Sequence, residues 1–380
     1  MKKLIDLIRY SEDARLSLLK DLISSDKRKY IYGAGRCAQN TYSLLSEYGI
    51  QIEGFCVDSD YYKPNSRICE KEIFDINACI SVENELIIGF ENRARAISVK
   101  NALGQKGVKV YHFEDLFCFR SMDYKFFIDN YANYLKAYSL LSDELSKEIF
   151  IAHLNSRIAG DYSEISKYDE HGKYGYDFEL LGLSGDEVFV DCGAFDGDTV
   201  MEFLDYTSGK YSKIFAFEPD ETNKKKLEAK TIGLNEINVI PKGVGNKNGV
   251  ECFYNDGSLY SNFVDSGLWG GASRRDVYKD VDNYIEVPIC RIDDELRGEK
   301  ISLIKMDIEG SELSALIGAE EIIKTNHPKL AICVYHKSED MFTCINYINS
   351  IVGPGVYNYF LRHHSDDICE TVLYAVPVKA

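Results

Sequence analysis

The stretch EVFVDCGAFDGDT, residues 187–199, decides the fold of the larger part of this 380-residue chain. Its first half is a short apolar run typical of a buried strand, and the glycines after it predict a tight turn into a helix that Asp198 or Thr199 can cap. Gly193 and Gly197 allow the backbone to approach a ligand closely. We expect that ligand at the carboxyl end of the sheet, where open α/β sheets bind their ligands.

The next strand, predicted over Lys213–Phe217, ends in Glu218-Pro219. A carboxylate at that point can accept both ribose hydroxyls of a nucleoside. Asp191, which precedes the glycine turn, would repel a pyrophosphate, so the pattern favours a cationic nucleoside without phosphates. S-adenosylmethionine has that character, because its sulfonium is positive and its aminoacyl end carries an ammonium. For the glycine turn taken alone, a purely structural tight turn is the alternative.

A third motif, ISLIKMDIEGSE at residues 301–312, is again a strand that runs into acids and a glycine. It predicts that Asp307 and Glu309 lie near the reactive end of the cofactor, while Ser311 and the acids around it also suit helix capping. A further predicted strand, 330–334, brings His336 to the same crevice. Asp307 and His336 are the candidate general bases, with Glu309 close by, and the same three side chains could together bind a metal ion.

These motifs together resemble the FkbM family of S-adenosylmethionine-dependent methyltransferases over residues 180–380. The resemblance is carried by VDCGA (190–194), FEP (217–219), RIDD (291–294), KMDIEGSE (305–312) and ETVLY (370–374). It implies a class I methyltransferase fold, which is an α/β, Rossmann-like sheet of seven strands with the last strand antiparallel, and usually O-methylation.

By that resemblance Asp191, Gly193 and Glu218 are cofactor-binding positions. The other candidate cofactor-binding residues lie beside them in the motifs or after the third strand, and they are Ala194, Gly197, Pro219, Lys242 and Gly243. The third-strand segment VIPKGVG, residues 239–245, lacks the acid that many methyltransferases place near the adenine.

A second glycine turn lies near the start of the chain, in YIYGAGRCA at residues 30–38. The order of strand, Gly-x-Gly-x-x-Ala and helix, with Asp58 after the second strand, matches a dinucleotide-binding fingerprint in form. Gly33, Gly35 and Asp58 are therefore nucleotide-binding candidates. Three interpretations remain open: a nucleotide or nucleotide-sugar site, a substrate-docking domain on a degenerate nucleotide fold, and a structural or dimerising module.

The chain divides into three predicted parts. Residues 1–118 alternate strand and helix signals and predict a smaller Rossmann-like α/β domain, residues 119–175 predict a helical connector, and residues 176–380 form the methyltransferase domain. The tyrosine-rich segment 131–138 is a candidate interface between copies of the chain. Substrate selection is expected in 243–300, whose polar, glycine-rich and aromatic loops (255–262 and 266–275) suit a lid or a sugar platform, or else a surface loop with Trp269 buried.

Composition narrows the functional classes. With 44 Lys and Arg against 61 Asp and Glu, the formal charge of −17 opposes binding to nucleic acid and to anionic membranes. Eleven scattered cysteines without a Cys-x-x-Cys pair indicate buried thiols in a reducing compartment. No apolar stretch suits a signal peptide or a membrane span, so we expect a cytoplasmic protein.

The expected activity is O-methylation of a hydroxyl on a sugar, glycan or secondary metabolite, with S-adenosylmethionine as the cofactor. Two alternatives come from other functional classes. One is a nucleotide-sugar oxidoreductase or epimerase that uses the Gly33–Asp58 region, and the other is a non-catalytic scaffold that binds S-adenosylmethionine.

Overall fold

A computed structural model describes residues 3–11, 14–90, 92–112, 122–160, 162–169, 172–254, 262–263 and 284–378. The chain consists of two compact units. The larger comprises Met1–Ser11, Arg120–Ile158 and Tyr162–Ala380, and the smaller comprises Glu12–Phe119 and Ala159–Asp161. The α/β prediction is confirmed, since each unit is a sheet with helices. Within the described ranges, no helix is long and apolar enough to cross a membrane.

The smaller unit is a six-stranded sheet with the order β3-β4-β2-β1-β5-β6. Its strands are β1 (Arg28–Tyr32), β2 (Gly54–Val57), β3 (Arg67–Ile68), β4 (Lys71–Asp75), β5 (Asn84–Ile88) and β6 (Lys109–His112). Its helices are α1 (Ala14–Ser24), α2 (Arg36–Glu47), α3 (Ile76–Cys79) and α4 (Arg93–Gly104). All strand pairs are parallel except β3–β4. Ile31 and Tyr30 belong to two different apolar clusters, so β1 is covered on both faces, as its apolar sequence requires.

The larger unit contains a seven-stranded sheet with the order β16-β17-β15-β14-β7-β8-β9. Its strands are β7 (Val188–Cys192), β8 (Lys213–Phe217), β9 (Ile237–Ile240), β14 (Leu303–Met306), β15 (Lys329–Cys333), β16 (Tyr357–His363) and β17 (Thr371–Pro377). β17 is antiparallel to both of its neighbours, and the other pairs are parallel. The last strand is therefore the reversed one.

Helices flank this sheet and precede it in sequence. They are α5 (Tyr124–Asp129), α6 (Tyr131–Leu140), α7 (Glu144–Ala159), α8 (Phe178–Leu181), α9 (Asp198–Tyr206), α10 (Glu221–Lys230), α11 (Ile292–Glu295), α12 (Glu312–Gly318), α13 (Glu320–Asn326) and α14 (Asp340–Val352). Short 3₁₀ helices lie at Leu4–Leu7 and Ile165–Tyr168.

The segment predicted as a connector supplies core residues to the larger unit. Tyr134 of α6 is fully buried, its ring centroid lies 4.7 Å from that of Phe342, and its hydroxyl donates to the Ser338 carbonyl at 2.7 Å. Residues 120–158 thus belong to the larger unit because their apolar side chains complete its core. Tyr134 is buried within the chain and is not available to a second copy.

The stretch 243–300, which was expected to consist of substrate loops, contains a second sheet of four strands. These are β10 (Gly243–Val244), β11 (Gly249–Tyr254), β12 (Asn262–Phe263) and β13 (Tyr284–Cys290), in the order β10-β13-β11-β12. The predicted lid or sugar platform, including Trp269, lies outside the described residues apart from Asn262.

The turn after β7 lies between the ends of two neighbouring strands. The Gly193 amide donates to the Phe217 carbonyl at 3.1 Å, and the Asp307 amide donates to the Cys192 carbonyl at 3.1 Å. Gly193 has φ +81°, and a Cβ there would lie 1.9 Å from the Asp307 carbonyl oxygen. Only glycine fits this position, and its absence of a side chain brings the ends of β7, β8 and β14 together.

Candidate active site

A cavity of about 450 Å³ lies at the carboxyl ends of the parallel strands of the larger unit. Seven residues that the sequence predicts as cofactor-binding or catalytic line it: Gly193, Glu218, Pro219, Lys242, Gly243, Asp307 and Glu309. Asp191, Ala194, Gly197 and His336 are not in its lining. Position after a strand therefore identifies the site, but it does not tell which side chains reach the cavity.

Glu218 is the most firmly oriented carboxylate of the cavity. It is 6% exposed, its Oε2 accepts from the Phe195 amide at 2.9 Å, and its Oε1 accepts from the Asp220 amide at 2.8 Å. Each oxygen keeps a further lone pair for a ligand hydroxyl. Burial raises the pKa of Glu218 to about 7, despite the two backbone hydrogen bonds. The site thus holds an acceptor in place at an electrostatic cost that a hydrogen-bond donor would reduce.

Asp191 acts on the cavity through Lys305. Asp191 is fully buried, and the Lys305 Nζ lies 3.0 Å from its Oδ1. Nζ also donates to the Gly193 carbonyl at 2.8 Å. Burial alone lowers the pKa of Lys305, but the Asp191 carboxylate raises it well above its usual range, so the ammonium stays charged. The pair fixes the glycine turn, and Lys305, which the sequence did not single out, lines the cavity.

Ala194 and Gly197 also support the turn from behind. The Ala194 amide donates to the Phe217 carbonyl at 3.0 Å. Gly197 has φ +88°, and a Cβ there would lie 2.7 Å from the Leu227 Cδ1. Both residues hold the turn against its neighbours, with no side chain directed at the cavity.

Pro219, Lys242 and Gly243 line the cavity on the side of β8 and β9. The Lys242 Nζ lies 2.6 Å from the Glu295 Oε2, so this cation has an acidic partner. The residue set at this end suits the nucleoside part of a ligand, with Glu218 as the ribose acceptor.

Two functional candidates at the opposite end of the cavity were missed by sequence reasoning. The Tyr335 hydroxyl lies 3.2 Å from the Asp307 Oδ1 and 3.1 Å from the Glu370 Oε1. Tyr335 is 4% exposed, and all three residues line the cavity. Glu370 begins the ETVLY motif, which marked a family resemblance without indicating a role. The ends of three strands, β14, β15 and β17, meet here.

His336 lies beneath these acids. Its Nδ1 is 3.0 Å from the Glu312 Oε1, and its Nε2 is 3.4 Å from the Asp307 Oδ1 and 3.5 Å from the Glu309 Oε2. Burial alone lowers the pKa of His336, but the three carboxylates outweigh it and raise the pKa to about 9. At neutral pH the ring is an imidazolium, which has no lone pair for a substrate proton or a metal ion. Its approach to three carboxylates is explained by ion pairing.

Three non-glycine residues of the lining have left-handed backbones. Phe195, Glu309 and Glu370 have φ values of 45°, 55° and 59°. Such conformations cost about 1–3 kcal/mol each and persist only where the surrounding structure enforces them. They re-aim the chain directly after β7 and β14 and directly before β17, so the side chains turn towards the cavity.

The N-terminal candidates have partners within the chain. The Asp58 Oδ1 accepts from the Tyr32 hydroxyl at 2.5 Å, and its Oδ2 lies 2.6 Å from the Arg95 guanidinium. Gly33 has φ +128°, and a Cβ there would lie 2.9 Å from the Gly89 carbonyl oxygen. Gly35 has an extended backbone at the start of α2. Nucleotide binding by this unit stays a prediction.

Comparison with known proteins gives one match that spans both units. Residues 191–363 match the family model of the methyltransferase FkbM domain. The chain is also similar to the crystal structure of methyltransferase FkbM from Methylobacillus flagellatus KT, with 22% identity and a TM-score of 0.71 over 98% of this chain and 95% of that one. At this identity the structural likeness supports the fold alone.

Two further solved structures match a smaller part of the chain. An rRNA methylase from Streptococcus thermophilus is 16% identical over 52% of this chain and 90% of its own, with a TM-score of 0.32. Fibrillarin from Aeropyrum pernix, with natively bound S-adenosyl-L-methionine, is 12% identical over 52% of this chain and 72% of its own, with a TM-score of 0.31. Among curated proteins, none matches this chain.

Proposed function

Residues 191–363 belong to the FkbM methyltransferase domain family, and from this premise we propose that the chain is an S-adenosylmethionine-dependent O-methyltransferase. The acceptor would be a hydroxyl of a sugar, glycan or secondary metabolite. One observation carries the proposal: the buried Glu218 carboxylate, which two backbone amides orient towards a cavity of about 450 Å³. The strand order, with only the last strand reversed, supports a class I methyltransferase fold.

The residues present fit the cofactor. Glu218 would accept from the ribose hydroxyls, because each of its oxygens has a lone pair left after the amide bonds. Pro219, Lys242 and Gly243 would enclose the nucleoside, and Lys305 would hold the Gly193 turn beside it. When bound, the cofactor supplies an electrophilic methyl group on a positively charged sulfur.

Asp307 is the proposed general base. It lines the cavity, and its side chain is 26% exposed, so an acceptor hydroxyl can reach it. As the acceptor oxygen forms its new bond to carbon, its proton would pass to an Asp307 carboxylate oxygen. His336 would not take that proton, because it is buried and already protonated at neutral pH. It would instead hold Asp307 and Glu309 in place.

A polyhydroxylated acceptor suits the end of the cavity that Asp307 shares with Tyr335 and Glu370. Ionised carboxylates only accept hydrogen bonds, and sugar hydroxyls donate them. Several acceptors arranged around one hydroxyl position the oxygen for attack, and positioning supplies a large part of the rate in such transfers.

Binding of the cofactor is the first test. Calorimetry on the full chain should show binding of S-adenosylmethionine, and Glu218→Gln should weaken it at least about tenfold, because a hydrogen bond to a charged acceptor is worth about 1.5–3 kcal/mol. Glu299→Gln is the matched control, since Glu299 pairs with Lys213 and is not in the cavity lining. If neither S-adenosylmethionine nor S-adenosylhomocysteine binds, the proposed function is wrong.

Turnover tests the base. With an acceptor found by screening sugars and glycans for production of S-adenosylhomocysteine, Asp307→Asn should lower turnover by about 10²–10⁴ while leaving cofactor affinity nearly unchanged. Normal turnover by Asp307→Asn would show that another group removes the proton.

A further inference from the structure

The inference below rests on the proposed function and concerns how the cavity distinguishes its cofactor from the product. Seven carboxylates line the cavity, against two lysines: Asp198, Glu202, Glu218, Asp307, Glu309, Asp367 and Glu370 against Lys242 and Lys305. The described part of the lining is therefore strongly acidic.

The two lysines do not offset this charge. Lys305 lies 3.0 Å from the buried Asp191, and Lys242 lies 2.6 Å from Glu295, so each cation already has an acid outside the lining. Behind the lining, the His336 imidazolium faces three carboxylates at once, those of Glu312, Asp307 and Glu309. One positive charge among three negative ones leaves this end of the cavity negative.

Tyr335 adds a second observation at the same place. Its nearly buried hydroxyl lies within hydrogen-bond distance of both Asp307 and Glu370, at 3.2 and 3.1 Å. A phenol has one proton and can donate it to only one acceptor at a time. Tyr335 therefore holds the two carboxylates close together without neutralising them, and a cation beside them would relieve their repulsion.

The sheet places this cluster where the reactive end of the cofactor would lie. Glu218 follows β8, on one side of β7, whereas β14, β15 and β17 lie in that order on the other side. A ligand whose ribose is held by Glu218 and which passes the Gly193 turn extends towards Asp307, Tyr335 and Glu370.

We propose that Asp307, Tyr335 and Glu370 form a charge-recognition subsite for the cationic, transferable end of the cofactor. The chain then binds S-adenosylmethionine more tightly than S-adenosylhomocysteine, which differs by one methyl group and one positive charge. Loss of that charge on methyl transfer weakens binding of the product and favours its release.

Calorimetry on the full chain at pH 8 tests this without an acceptor. Three probes share the nucleoside and the amino-acid group: S-adenosylmethionine, with a sulfonium; sinefungin, with an ammonium near the same position; and S-adenosylhomocysteine, with a neutral sulfur. We expect both cationic probes to bind at least about tenfold more tightly than the neutral one, because a unit charge beside carboxylates in a partly buried site interacts strongly.

Variants separate charge recognition from general damage. Glu370→Gln keeps the size of the side chain and should weaken both cationic probes about fivefold to tenfold, with S-adenosylhomocysteine changed less than about twofold, whereas Glu370→Asp should retain part of the preference. Glu299→Gln makes the same change in net charge outside the cavity lining and should alter none of the three affinities.

Each other result counts against the inference. Equal or tighter binding of S-adenosylhomocysteine by the wild-type chain overturns it, as does a uniform loss for all three probes in Glu370→Gln. In both cases the proposed function stands, because the cofactor still binds. Absence of binding by all three probes overturns the proposed function itself and this inference with it.

Discussion

The two units of this chain contain the same local arrangement twice. After β1, the Gly33 amide donates to the Cys56 carbonyl at 2.9 Å, and after β7 the Gly193 amide donates to the Phe217 carbonyl at 3.1 Å. In each unit the glycine also lies against the end of the strand on the other side, at the carbonyl of Gly89 or of Asp307. Each glycine is explained by close packing of backbones, so the glycine pattern alone does not indicate a ligand.

The acid after the second strand is what differs. Glu218 is nearly buried, and its carboxylate is held by backbone amides beside a cavity. Asp58 is half-exposed, and its two oxygens are engaged by the side chains of Tyr32 and Arg95. Backbone amides orient an acid and leave it able to accept from a ligand, whereas a guanidinium and a phenol take up the lone pairs that a ribose would need. The partners of the acid therefore separate a probable ligand site from a structural turn better than the glycines do.

The largest expected effect tests the shared packing role. Gly193→Ala would place a methyl group 1.9 Å from the Asp307 carbonyl at φ +81°, and strain plus overpacking should cost on the order of 5 kcal/mol or prevent folding of the larger unit. Gly33→Ala meets the Gly89 carbonyl at 2.9 Å and should cost less, about 2 kcal/mol. Hydrogen exchange measured in urea, resolved by unit, compares the two. Equal destabilisation of both units would contradict the difference in contact depth.

Sequence reasoning succeeded where local pattern and fold agree. Apolar runs followed by glycines predicted β1, β7 and β8, and strand-end acids located the cavity. The pairing of β11 with β13 was missed, because β13 contains Pro288, which argues against a strand in a sequence.

The direction of the site side chains depends on contacts between strands that are distant in sequence. Asp191 and Lys305 are direct partners in the parallel register of β7 and β14, which is why their side chains form an ion pair. His336 is buried because Glu312, from the helix after the KMDIEG segment, lies against it. Neither contact has a signal in a single sequence.

The buried ion pair of the larger unit should have the next largest effect. Lys305→Met leaves the Asp191 carboxylate buried without a cation and should cost about 3–5 kcal/mol, whereas Lys305→Met combined with Asp191→Leu should recover most of that loss. The ion pair of the smaller unit is 51% and 38% exposed at Arg95 and Asp58, so Arg95→Met should cost at most about 1 kcal/mol. Urea unfolding of the three variants measures this, and a Lys305→Met chain as stable as the wild type would refute the role of the pair.

Glu218 predicts an opposite effect on stability and on binding. Its pKa of about 7 in the folded chain lies above the ordinary value of 4.5, so the folded state retains a proton that the unfolded state has lost between these pH values. Stability without cofactor should therefore fall as the pH rises from about 4.5 to 7, by up to about 3 kcal/mol. Glu218→Gln removes this decline, so the variant should be more stable than the wild type at pH 8 while binding the cofactor less tightly.

Thermal unfolding at pH 5 and pH 8, with and without S-adenosylmethionine, separates the two effects. The wild type should gain more from the cofactor than the variant at pH 8, and it should lose affinity as the pH falls below about 7, because protonation removes one acceptor from the carboxylate. A variant that is less stable than the wild type at pH 8 without cofactor would show that Glu218 serves the fold and not the ligand.

The smallest effect is expected for Asp58→Asn. Burial and the hydrogen bond to Asp58 raise the pKa of Tyr32 to about 12, so its hydroxyl remains a donor at any physiological pH, and the pair with Arg95 is largely exposed. Replacing the carboxylate should change the free energy of unfolding by at most about 1 kcal/mol. Since both oxygens already accept from side chains, NAD(H), NADP(H) and nucleotide sugars should leave the melting of the smaller unit unchanged in the wild type and in the variant. Protection of the wild type by one of these ligands, lost in Asp58→Asn, would instead make the first glycine turn a nucleotide site like its counterpart and remove the distinction drawn from the partners of the two acids.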